Sequence, residues 1–301
     1  MRKSTIHSLK KFFGKGLISA FYRSLWFLTD EQYVKLIYRL RLGRRLDLEN
    51  PMTFTEKLQW LKLNDRNPAY TGMADKIGMR SFVSQRLGEG HTVPLIGEWD
   101  SFDDIDFNLL PDMFVMKTTH DSGSYVICRG KASFDRGRAK RILCRSMRRN
   151  YYRTTRELQY RDIPHRIIAE KLLGDGKNLY DYKFFCFNGI PRFLYVEQES
   201  LKDATQAILD MDFKPMPFCM EDEKADVLPS RPECFGQMKT FAEKLSAGIP
   251  FLRVDMYCAD GVVYIGELTF FHYGGYIPFS PVEWDRKIGD MLDLGVLRGN
   301  R

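Results

Sequence analysis

The feature that most constrains the fold is a pair of apolar runs, residues 251–259 and 262–271, joined by Asp260-Gly261. Both runs, FLRVDMYCA and VVYIGELTFF, are rich in β-branched and aromatic residues, which favour strands. An Asp-Gly pair between two such runs predicts a tight β-hairpin, because both turn positions need positive φ. Asn188-Gly189 predicts a second hairpin in the same way. The C-terminal half must therefore contain antiparallel sheet.

The order of helical and strand-like segments predicts an α+β fold. Apolar residues recur at helical spacing within residues 6–46, after Thr55 and again up to Gly88. In the remaining two thirds of the chain, short apolar runs predominate, interrupted by predicted helices near residues 135–150 and 232–247. Helices followed by a largely antiparallel, strand-rich half are typical of the α+β class.

Composition narrows the possible partners. The 301 residues carry a net charge of +7, which favours acidic partners such as nucleotide, anionic lipid, an acidic polymer or nucleic acid. Nucleic acid is not expected, because the chain has no zinc-finger, RNP-like or basic-helix motif. The six cysteines are scattered without a C-x-x-C pair, so a disulfide framework or zinc site is not expected and a reducing cytoplasm fits best.

The N-terminal residues 1–28 mix basic and apolar side chains. Six of them are Lys or Arg, and the chain has no run of 18 apolar residues that would predict a transmembrane helix. Two interpretations stay open: a basic amphipathic helix that lies on a membrane surface, or an ordinary helix packed against the body of the protein. Under the first interpretation, the protein is cytoplasmic and lies at the inner face of the membrane.

The C-terminal hairpin also carries a charged face. Side chains two residues apart project from the same face of a strand, as Arg253 and Asp255 do, and likewise Glu267 and Thr269. The tight turn brings Asp255 close to Glu267. Two such carboxylates predict either a Mg²⁺ site, since this ion takes one or two carboxylates plus phosphate oxygens, or a salt-bridge ladder with Arg253.

Lys117 and the loop that follows it have two possible roles. The loop Thr118–Ser124 contains hydroxyl residues together with His120 and Gly123. The segment is either a β-hairpin whose edge lysine blocks further pairing, or a phosphate cradle of backbone N–H groups beside one fixed cation. It lacks the Gly-Lys-Ser/Thr of a Walker A loop. Further charged residues, each with a solvated or strand-end interpretation when taken alone, are Arg80, Glu170, Lys171 and Lys183.

Taken together, these segments resemble one known family. The stretches NPMTFTEKLQWLKLNDRNPAYTGMADK, MKTTHDSG, IIAEKLL, DYKFFCFNG and RVDMY…YIGELTF, in this order, are similar to the TupA-like ATP-grasp proteins of teichuronopeptide biosynthesis. The resemblance covers roughly residues 30–285 and implies an ATP-grasp fold, in which two α+β subdomains clamp ATP behind N-terminal helices. The implied parts are an N-terminal helical segment 1–47, a preceding subdomain 48–112 and a catalytic region 113–301, with a lid at about 117–169 and a core at about 170–301.

The resemblance also implies a role for each charged position. The implied ATP-binding residues are Arg80, Lys117, His120, Ser122, Gly123, Ser124, Glu170 and Lys171. The implied catalytic residues are Lys183, directed at the phosphates, and Arg253, which would steady the transferring phosphoryl group. The implied Mg²⁺ ligands are Asp255, Glu267 and Thr269, where Thr269 stands in the place of an asparagine that is common in the superfamily.

The implied activity is an ATP- and Mg²⁺-dependent ligation. A carboxylate is phosphorylated to an acyl phosphate, an amine attacks it, and an amide forms without any nucleophilic side chain. The implied partners are ATP, a carboxylated sugar or polysaccharide precursor, and an amino acid or similar amine, in cell-surface polysaccharide (capsule or cell-envelope) biosynthesis. An alternative from another class is a metal-dependent glycosyltransferase, whose D-x-D motif would be Asp210 and Asp212.

Overall fold

The structure, a computed structural model, describes residues 21–22, 24–174, 179–198, 207–220 and 228–298. Residues 1–20 of the predicted membrane-binding segment therefore lie outside the described residues. Within the described ranges, no helix combines the length and the apolar character needed to cross a membrane.

Helices and strands are numbered in chain order. The α-helices are α1 (Asp30–Leu42), α2 (Phe54–Asn64), α3 (Ala69–Ala74), α4 (Gly78–Leu87), α5 (Arg136–Met147), α6 (Tyr152–Thr155), α7 (Phe235–Ser246), α8 (Glu283–Gly289) and α9 (Gly295–Arg298). The strands are β1 (Leu95–Trp99), β2 (Phe114–Thr118), β3 (Tyr125–Cys128), β4 (Ile167–Lys171), β5 (Tyr180–Phe187), β6 (Ile190–Gln198), β7 (Ala207–Asp210), β8 (Cys219–Met220), β9 (Phe251–Ala259), β10 (Val262–Thr269) and β11 (Phe279–Ser280). Short 3₁₀ turns lie at Phe102–Asp104, Lys131–Ser133, Leu158–Tyr160 and His272–Gly275.

Helix α2 begins at a capping box. The Thr53 hydroxyl accepts a hydrogen bond from the Glu56 backbone N–H at 3.3 Å, and the Glu56 carboxylate accepts one from the Thr53 N–H at 2.9 Å. Both otherwise unpaired N–H groups are thereby satisfied. Thr55, expected ahead of this helix, lies instead within its first turn and donates to Asp285 at 2.7 Å. This buried contact joins α2 to α8.

A five-stranded antiparallel sheet runs in the order β10-β9-β5-β6-β7. Both predicted hairpins are confirmed in it. Asn188 and Gly189 have φ angles of 49° and 84°, and Asp260 and Gly261 have 52° and 75°, so both turn positions are left-handed in each hairpin. Helix α7 packs against β5, β6 and β9 of this sheet.

A four-stranded antiparallel sheet runs in the order β1-β4-β2-β3. Helix α5 packs on β2 and β3 and buries Ala139 and Leu143 against Phe114 and Met116, in a cluster of its own. The loop between β2 and β3 is the hydroxyl-rich segment that follows Lys117. A short antiparallel pair, β8 with β11, lies apart from both sheets.

Packing distributes the predicted subdomain 48–112 over both sheets. Phe54, Leu58 and Val83, on α2 and α4, are buried in the cluster that contains the five-stranded sheet. In contrast, β1 pairs with β4 and so belongs to the four-stranded sheet. The subdomain boundaries remain a prediction, because strand pairing and helix packing assign neighbouring parts of this segment to different cores.

The cysteines depart from the expectation that none would pair. Cys234 and Cys258 form a disulfide, whereas Cys128, Cys144, Cys186 and Cys219 are free. The two bonded residues are 24 positions apart in the sequence. They meet because Cys234 immediately precedes α7, which packs against β9, the strand that carries Cys258.

Candidate active site

A cavity of about 710 Å³ lies between the two sheets. Strands β2, β3 and β4 contribute to its lining from one sheet, and β5, β9 and β10 from the other. Most of the residues singled out in the sequence line it: Lys117, Ser122, Gly123, Ser124, Glu170, Lys171, Lys183, Arg253, Asp255, Glu267 and Thr269. Arg80 and His120 are not among the lining residues. The fold thus collects motifs that are widely separated in the sequence.

The position of Glu267 depends on an irregularity in β10. Pairing with β9 is regular up to Ile265, but the register shifts after it, so that Glu267 lies opposite Asp255. Opposed residues of antiparallel strands project from the same face. Without the bulge Asp255 would oppose Gly266, and Glu267 would project from the other face of the sheet. The bulge therefore puts the two carboxylates side by side.

Asp255 is the centre of a buried ion cluster. Arg253 donates two hydrogen bonds to it, from Nε to Oδ1 at 2.7 Å and from Nη2 to Oδ2 at 2.6 Å. Lys183 Nζ donates to the same Oδ2 at 3.3 Å, pairs closely with Asp181 and lies 3.7 Å from Glu197 Oε2. Asp255 is only 2% exposed, so its charge is balanced by protein groups rather than by water.

Burial and ion pairing act in opposite directions on the pKa values of this cluster. Burial favours the neutral form of Asp255, but the charges of Arg253 and Lys183 outweigh it and hold the pKa below its ordinary value. Burial also disfavours the charged forms of Arg253 and Lys183, yet their carboxylate partners raise both pKa values. Burial raises the pKa of Asp181 to about 6, with Lys183 acting in the opposite sense. Asp255, Arg253 and Lys183 are therefore all charged at neutral pH.

Lys117 and Arg80 share one buried carboxylate. Lys117 Nζ lies 2.8 Å from Glu170 Oε2, and Arg80 Nη1 lies 3.4 Å from Glu170 Oε1. Arg80, on α4, contacts Glu170 but does not line the cavity. Strand β2 lies between β4 and β3, so Lys117 is not on an edge strand and does not serve to block pairing. β2 and β3 do form the antiparallel hairpin of the first interpretation, but the edge role that it gave to Lys117 is excluded.

The loop after Lys117 is organised around Asp121. One Asp121 oxygen accepts a hydrogen bond from the Thr118 hydroxyl at 2.6 Å, and the other accepts bonds from Ser124, at 2.6 Å, and Ser146. Lys76 Nζ donates to the Asp121 carbonyl at 2.5 Å. The loop is therefore fixed through the contacts of Asp121. Ser122 and Gly123, at its tip, are exposed and line the cavity.

His120 lies away from the cavity, on the inner side of the same loop. It is fully buried, stacks on His165 with ring centroids 3.6 Å apart, and forms a hydrogen bond through Nε2 with the Ser146 carbonyl at 3.2 Å. Burial, with His165 in the same sense, lowers its pKa to about 4. A neutral ring in this position supports the loop and does not reach a ligand in the cavity.

Another part of the cavity is largely apolar. The side chains that line it there are Val93, Val115, Ile127, Leu172, Leu173 and Leu179. Leu172 and Leu173 directly follow β4, whose last residue, Lys171, donates its backbone N–H to the Pro94 carbonyl at 2.9 Å. Apolar walls beside strand-end backbone suit a flat, mostly apolar group with a few polar atoms.

The side-chain oxygen atoms of Asp255, Glu267 and Thr269 suit Mg²⁺. Glu267 forms no ion pair with any described residue, and the buried Thr269 hydroxyl has no partner among them. With Asp255 they offer hard oxygen donors, which this ion prefers. In the described ranges, no group of three or more His, Cys, Asp or Glu side chains could hold a metal ion. An ion here would therefore take its remaining ligands from phosphate or water, as Mg²⁺ usually does.

The D-x-D segment has a structural use. Asp210 ends β7, and its Oδ1 accepts hydrogen bonds from the backbone N–H groups of Asp212 at 2.9 Å and Lys214 at 2.8 Å. Asp212 is solvent-exposed, and neither aspartate lines the cavity between the two sheets. The pair closes a turn, and this arrangement gives no support to the glycosyltransferase alternative.

Sequence analysis did not assign three residues that shape the site. Lys76 precedes α4 and donates to the backbone of the loop after β2. Asp121 accepts the hydrogen bonds that organise this loop. Glu157 received no mention, because it lies in a polar segment without strand or helix periodicity. Its signal appears only in three dimensions, as a carboxylate that is 3% exposed and lines the cavity.

Several solved structures are similar to this chain. The ATP-grasp ligase PsnB complexed with minimal precursor has 11% identity and a TM-score of 0.42, over 87% of this chain and 68% of that chain. D-alanine–D-alanine ligase from Bacillus anthracis complexed with ATP has 14% identity and a TM-score of 0.41, over 77% and 68%. D-cycloserine synthetase DcsG has 14% identity and a TM-score of 0.38, over 74% and 71%.

Family comparison is more decisive. No curated protein sequence matches the chain significantly. However, the family model described as TupA-like ATPgrasp matches residues 56–293, which is most of the chain and includes every predicted site residue. The predicted α+β, ATP-grasp fold is thereby confirmed. The chain belongs to the TupA-like ATP-grasp family.

Proposed function

We propose that the protein uses ATP and Mg²⁺ to convert a carboxylate into an acyl phosphate, which an amine then attacks to form an amide. The observation that carries this proposal is the pairing of Asp255 with Glu267, beside Arg253, in the same cavity as Lys117. Phosphoryl transfer depends mainly on positioning and charge neutralisation. These four side chains supply charges of both signs. Ligation by this route needs no protein nucleophile.

ATP would lie along the cavity. The apolar part near Leu172 and Leu173 suits the adenine, with Glu170 and Lys171 at its edge. The phosphates would contact Lys117, Lys183 and the exposed tip of the Thr118–Ser124 loop. Backbone N–H groups in such a loop can donate hydrogen bonds to phosphate oxygens. Arg80 would act indirectly, by sharing the charge of Glu170 and so leaving Lys117 more available to phosphate.

Asp255, Glu267 and Thr269 would hold Mg²⁺. When bound, the ion would neutralise phosphate charge and fix the reacting phosphate. Thr269 offers a neutral oxygen, so the two carboxylates would carry most of the ion's attraction to the protein. The Asp255 carboxylate is already oriented by two hydrogen bonds from Arg253, which limits the positions that an ion can take beside it.

Arg253 and His272 would face the transferring group together. Arg253 Nη1 lies 2.7 Å from His272 Nδ1, and arginine can only donate, so Nδ1 is the acceptor. Burial, assisted by Arg253 and Lys183, holds the pKa of His272 well below its ordinary value. The neutral ring then carries its proton on Nε2, which has no partner among the described residues. This N–H is a ready donor to a substrate oxygen.

For the substrates, we propose a carboxylated sugar of a cell-surface polysaccharide and an amino acid or similar amine. The family resemblance supplies this suggestion, and the net charge of +7 is compatible with an acidic sugar. Within the cavity, Arg41 donates to the Tyr22 hydroxyl at 3.1 and 3.2 Å, lies over the ring of Tyr276 and offers a further cation to an acidic substrate.

The reaction itself gives the first prediction. Incubation with ATP, Mg²⁺, a panel of uronic acids and hydroxylamine should release ADP and yield a hydroxamate, because hydroxylamine traps an acyl phosphate. Replacing hydroxylamine with amino acids should give an amide with the same carboxylate. EDTA should abolish both products. Turnover of a sugar nucleotide with no ADP release from ATP would contradict the proposal and favour a glycosyltransferase.

A second prediction concerns the membrane. We propose that residues 1–28 hold the enzyme at the inner face of the cytoplasmic membrane, and Trp26 and Phe27 are strongly exposed at the described end of this segment. Each basic residue near an anionic lipid surface contributes about 1 kcal/mol to the binding free energy. Changing Lys10, Lys11 and Lys15 to Glu in the full chain should therefore weaken sedimentation with anionic vesicles by roughly a hundredfold.

The matched control changes three exposed basic residues elsewhere, Arg66, Lys244 and Lys287, to Glu. This control has the same net charge as the first variant and should still sediment with the vesicles. Equal loss of binding in both variants would point to net charge alone, and equal retention would rule out the N-terminal segment as the membrane contact.

A further inference from the structure

Glu157 is a buried carboxylate that the steps above leave unused. It is 3% exposed, lines the cavity and immediately precedes the 3₁₀ turn Leu158–Tyr160. Its Oε2 accepts one hydrogen bond from Gln159 Nε2 at 3.3 Å. It forms no ion pair within 4 Å with any described residue. A carboxylate removed from water normally has a cation beside it, because an uncompensated buried charge is costly.

The nearest candidate cation inside the protein is engaged elsewhere. Lys62 is also buried, but its Nζ donates to the Gly274 carbonyl at 2.6 Å and lies over the ring of Tyr276 at 4.7 Å. Gln59 donates to the same carbonyl at 2.9 Å. Lys62 therefore fixes the turn after β10, and it balances Glu157 only at longer range.

Glu157 borders the proposed phosphoryl-transfer centre. A Cβ built on Gly274, in the turn that follows β10, would lie 3.6 Å from Glu157 Oε1. Burial raises the pKa of Glu157 to about 7; Lys62 opposes this shift, Glu267 adds to it, and Arg253 opposes it weakly. The carboxylate therefore lies beside the turn that also carries His272, whose Nδ1 lies 2.7 Å from Arg253 Nη1.

Two tyrosines complete the surroundings of Glu157. Tyr151 and Tyr160 line the cavity and meet edge to face, with ring centroids 5.0 Å apart and an interplanar angle of 71°. Tyr160 donates its backbone N–H to the Glu157 carbonyl at 3.1 Å. Burial raises the pKa values of both tyrosines, and the charge of Glu157 acts in the same sense. Tyrosine ring faces attract cations, and the attraction is stronger where water is excluded.

We propose that Glu157, with Tyr151 and Tyr160, forms the subsite that binds the ammonium group of the amine substrate. This inference rests on the proposed function and assigns one of its two organic substrates to a place in the cavity. A carboxylate substrate would be repelled by Glu157. An ammonium supplies the missing charge and three hydrogen-bond donors, and it would pass one proton to the Glu157 carboxylate before the free amine attacks the acyl phosphate.

The test compares a charged amine with an uncharged one. At neutral pH an amino acid carries an ammonium group, whereas hydroxylamine is uncharged and needs no ammonium subsite. Glu157→Gln should lower kcat/KM for the amino acid by about 10- to 100-fold, the range expected for losing a hydrogen bond to a charged group. Hydroxamate formation with hydroxylamine, and the KM for ATP, should change less than about twofold on the same scale.

Glu31→Gln is the matched control, because it makes the same chemical change on an exposed side chain of α1. It should leave both reactions unchanged. An independent test on the unmodified enzyme uses tetramethylammonium, a cation that cannot be acylated. This cation should inhibit amide formation competitively with the amino acid, and Glu157→Gln should weaken that inhibition.

Each outcome separates the two proposals. Absence of ADP and hydroxamate with the unmodified enzyme would overturn the proposed function itself. Active enzyme whose Glu157→Gln variant retains full kcat/KM for amino acids would overturn only the subsite. Equal loss of the hydroxylamine and amino-acid reactions, with a lowered Tm, would show that Glu157 is structural and would also overturn the subsite. If the variant does not fold, the tetramethylammonium competition decides alone, and its absence would reject the subsite.

Discussion

Glu267→Gln should leave the fold intact and reduce ADP formation by roughly a hundredfold to a thousandfold. The glutamine has almost the same shape and volume, and Glu267 makes no ion pair with a described residue that the change would break. The variant loses the negative charge that would hold Mg²⁺ opposite Asp255. Metal stabilisation of transition-state charge is worth several kcal/mol, and each ~1.4 kcal/mol is a factor of ten in rate.

The control for this prediction is Asp212→Asn. Asp212 is exposed at the end of a turn and lies outside the cavity, so its replacement should change the rate by less than about twofold. Both variants should show the Tm of the unmodified protein. An active Glu267→Gln enzyme together with an inactive Asp212→Asn enzyme would reverse the assignment of the metal site.

Arg253→Met should destabilise the protein by about 3–5 kcal/mol and abolish ligation. The substitution removes two hydrogen bonds from Asp255 and leaves its buried charge with Lys183 as its remaining cationic hydrogen-bond donor among the described residues. Breaking one side of a buried ion pair has a cost of this size, because the remaining charge is left poorly compensated. The free energy of unfolding, from chemical denaturation, measures the effect.

A double variant separates stability from catalysis. Arg253→Met combined with Asp255→Leu removes both charges and should recover most of the lost stability, because apolar groups of similar volume often replace a buried ion pair without penalty. It should remain inactive, since it lacks a proposed Mg²⁺ ligand and the proposed phosphoryl contact. If Arg253→Met alone is as stable as the unmodified protein, Arg253 does not balance Asp255 in the way described.

Much of the fold follows from short-range chemistry and could be predicted from the sequence. Asn188-Gly189 and Asp260-Gly261 form hairpins because their residues accept positive φ, which is a local property of the chain. Gly43 ends α1 with a φ of 71° for the same reason. The start of α2 after Thr53 rather than after Thr55 is also local, because Thr53 and Glu56 form a capping box. The order of strands within each sheet and the disulfide between Cys234 and Cys258 depended on packing.

The site shows the same division. Local pattern identified Lys117 as a special cation, but only the strand order made β2 an inner strand and excluded an edge role. The family resemblance implied an ATP-binding role for His120, yet the loop buries this side chain against His165. Glu157 could not be predicted at all, because its interest arises from burial without a cation, and burial is decided by residues far away in the chain.

The pair Asp255 and Glu267 shows most clearly which features are local and which depend on the folded protein. The turn and the strand propensities are local, so they are enough to predict that Asp255 and Glu267 belong to paired strands of one hairpin. Strict counting from that turn would place Asp255 opposite Gly266 and turn Glu267 to the other face. In the folded protein a bulge shifts the register after Ile265 and brings Glu267 opposite Asp255. A bulge adds one residue to one strand, and side-chain direction has a period of two, so this single irregularity determines which face receives the charge.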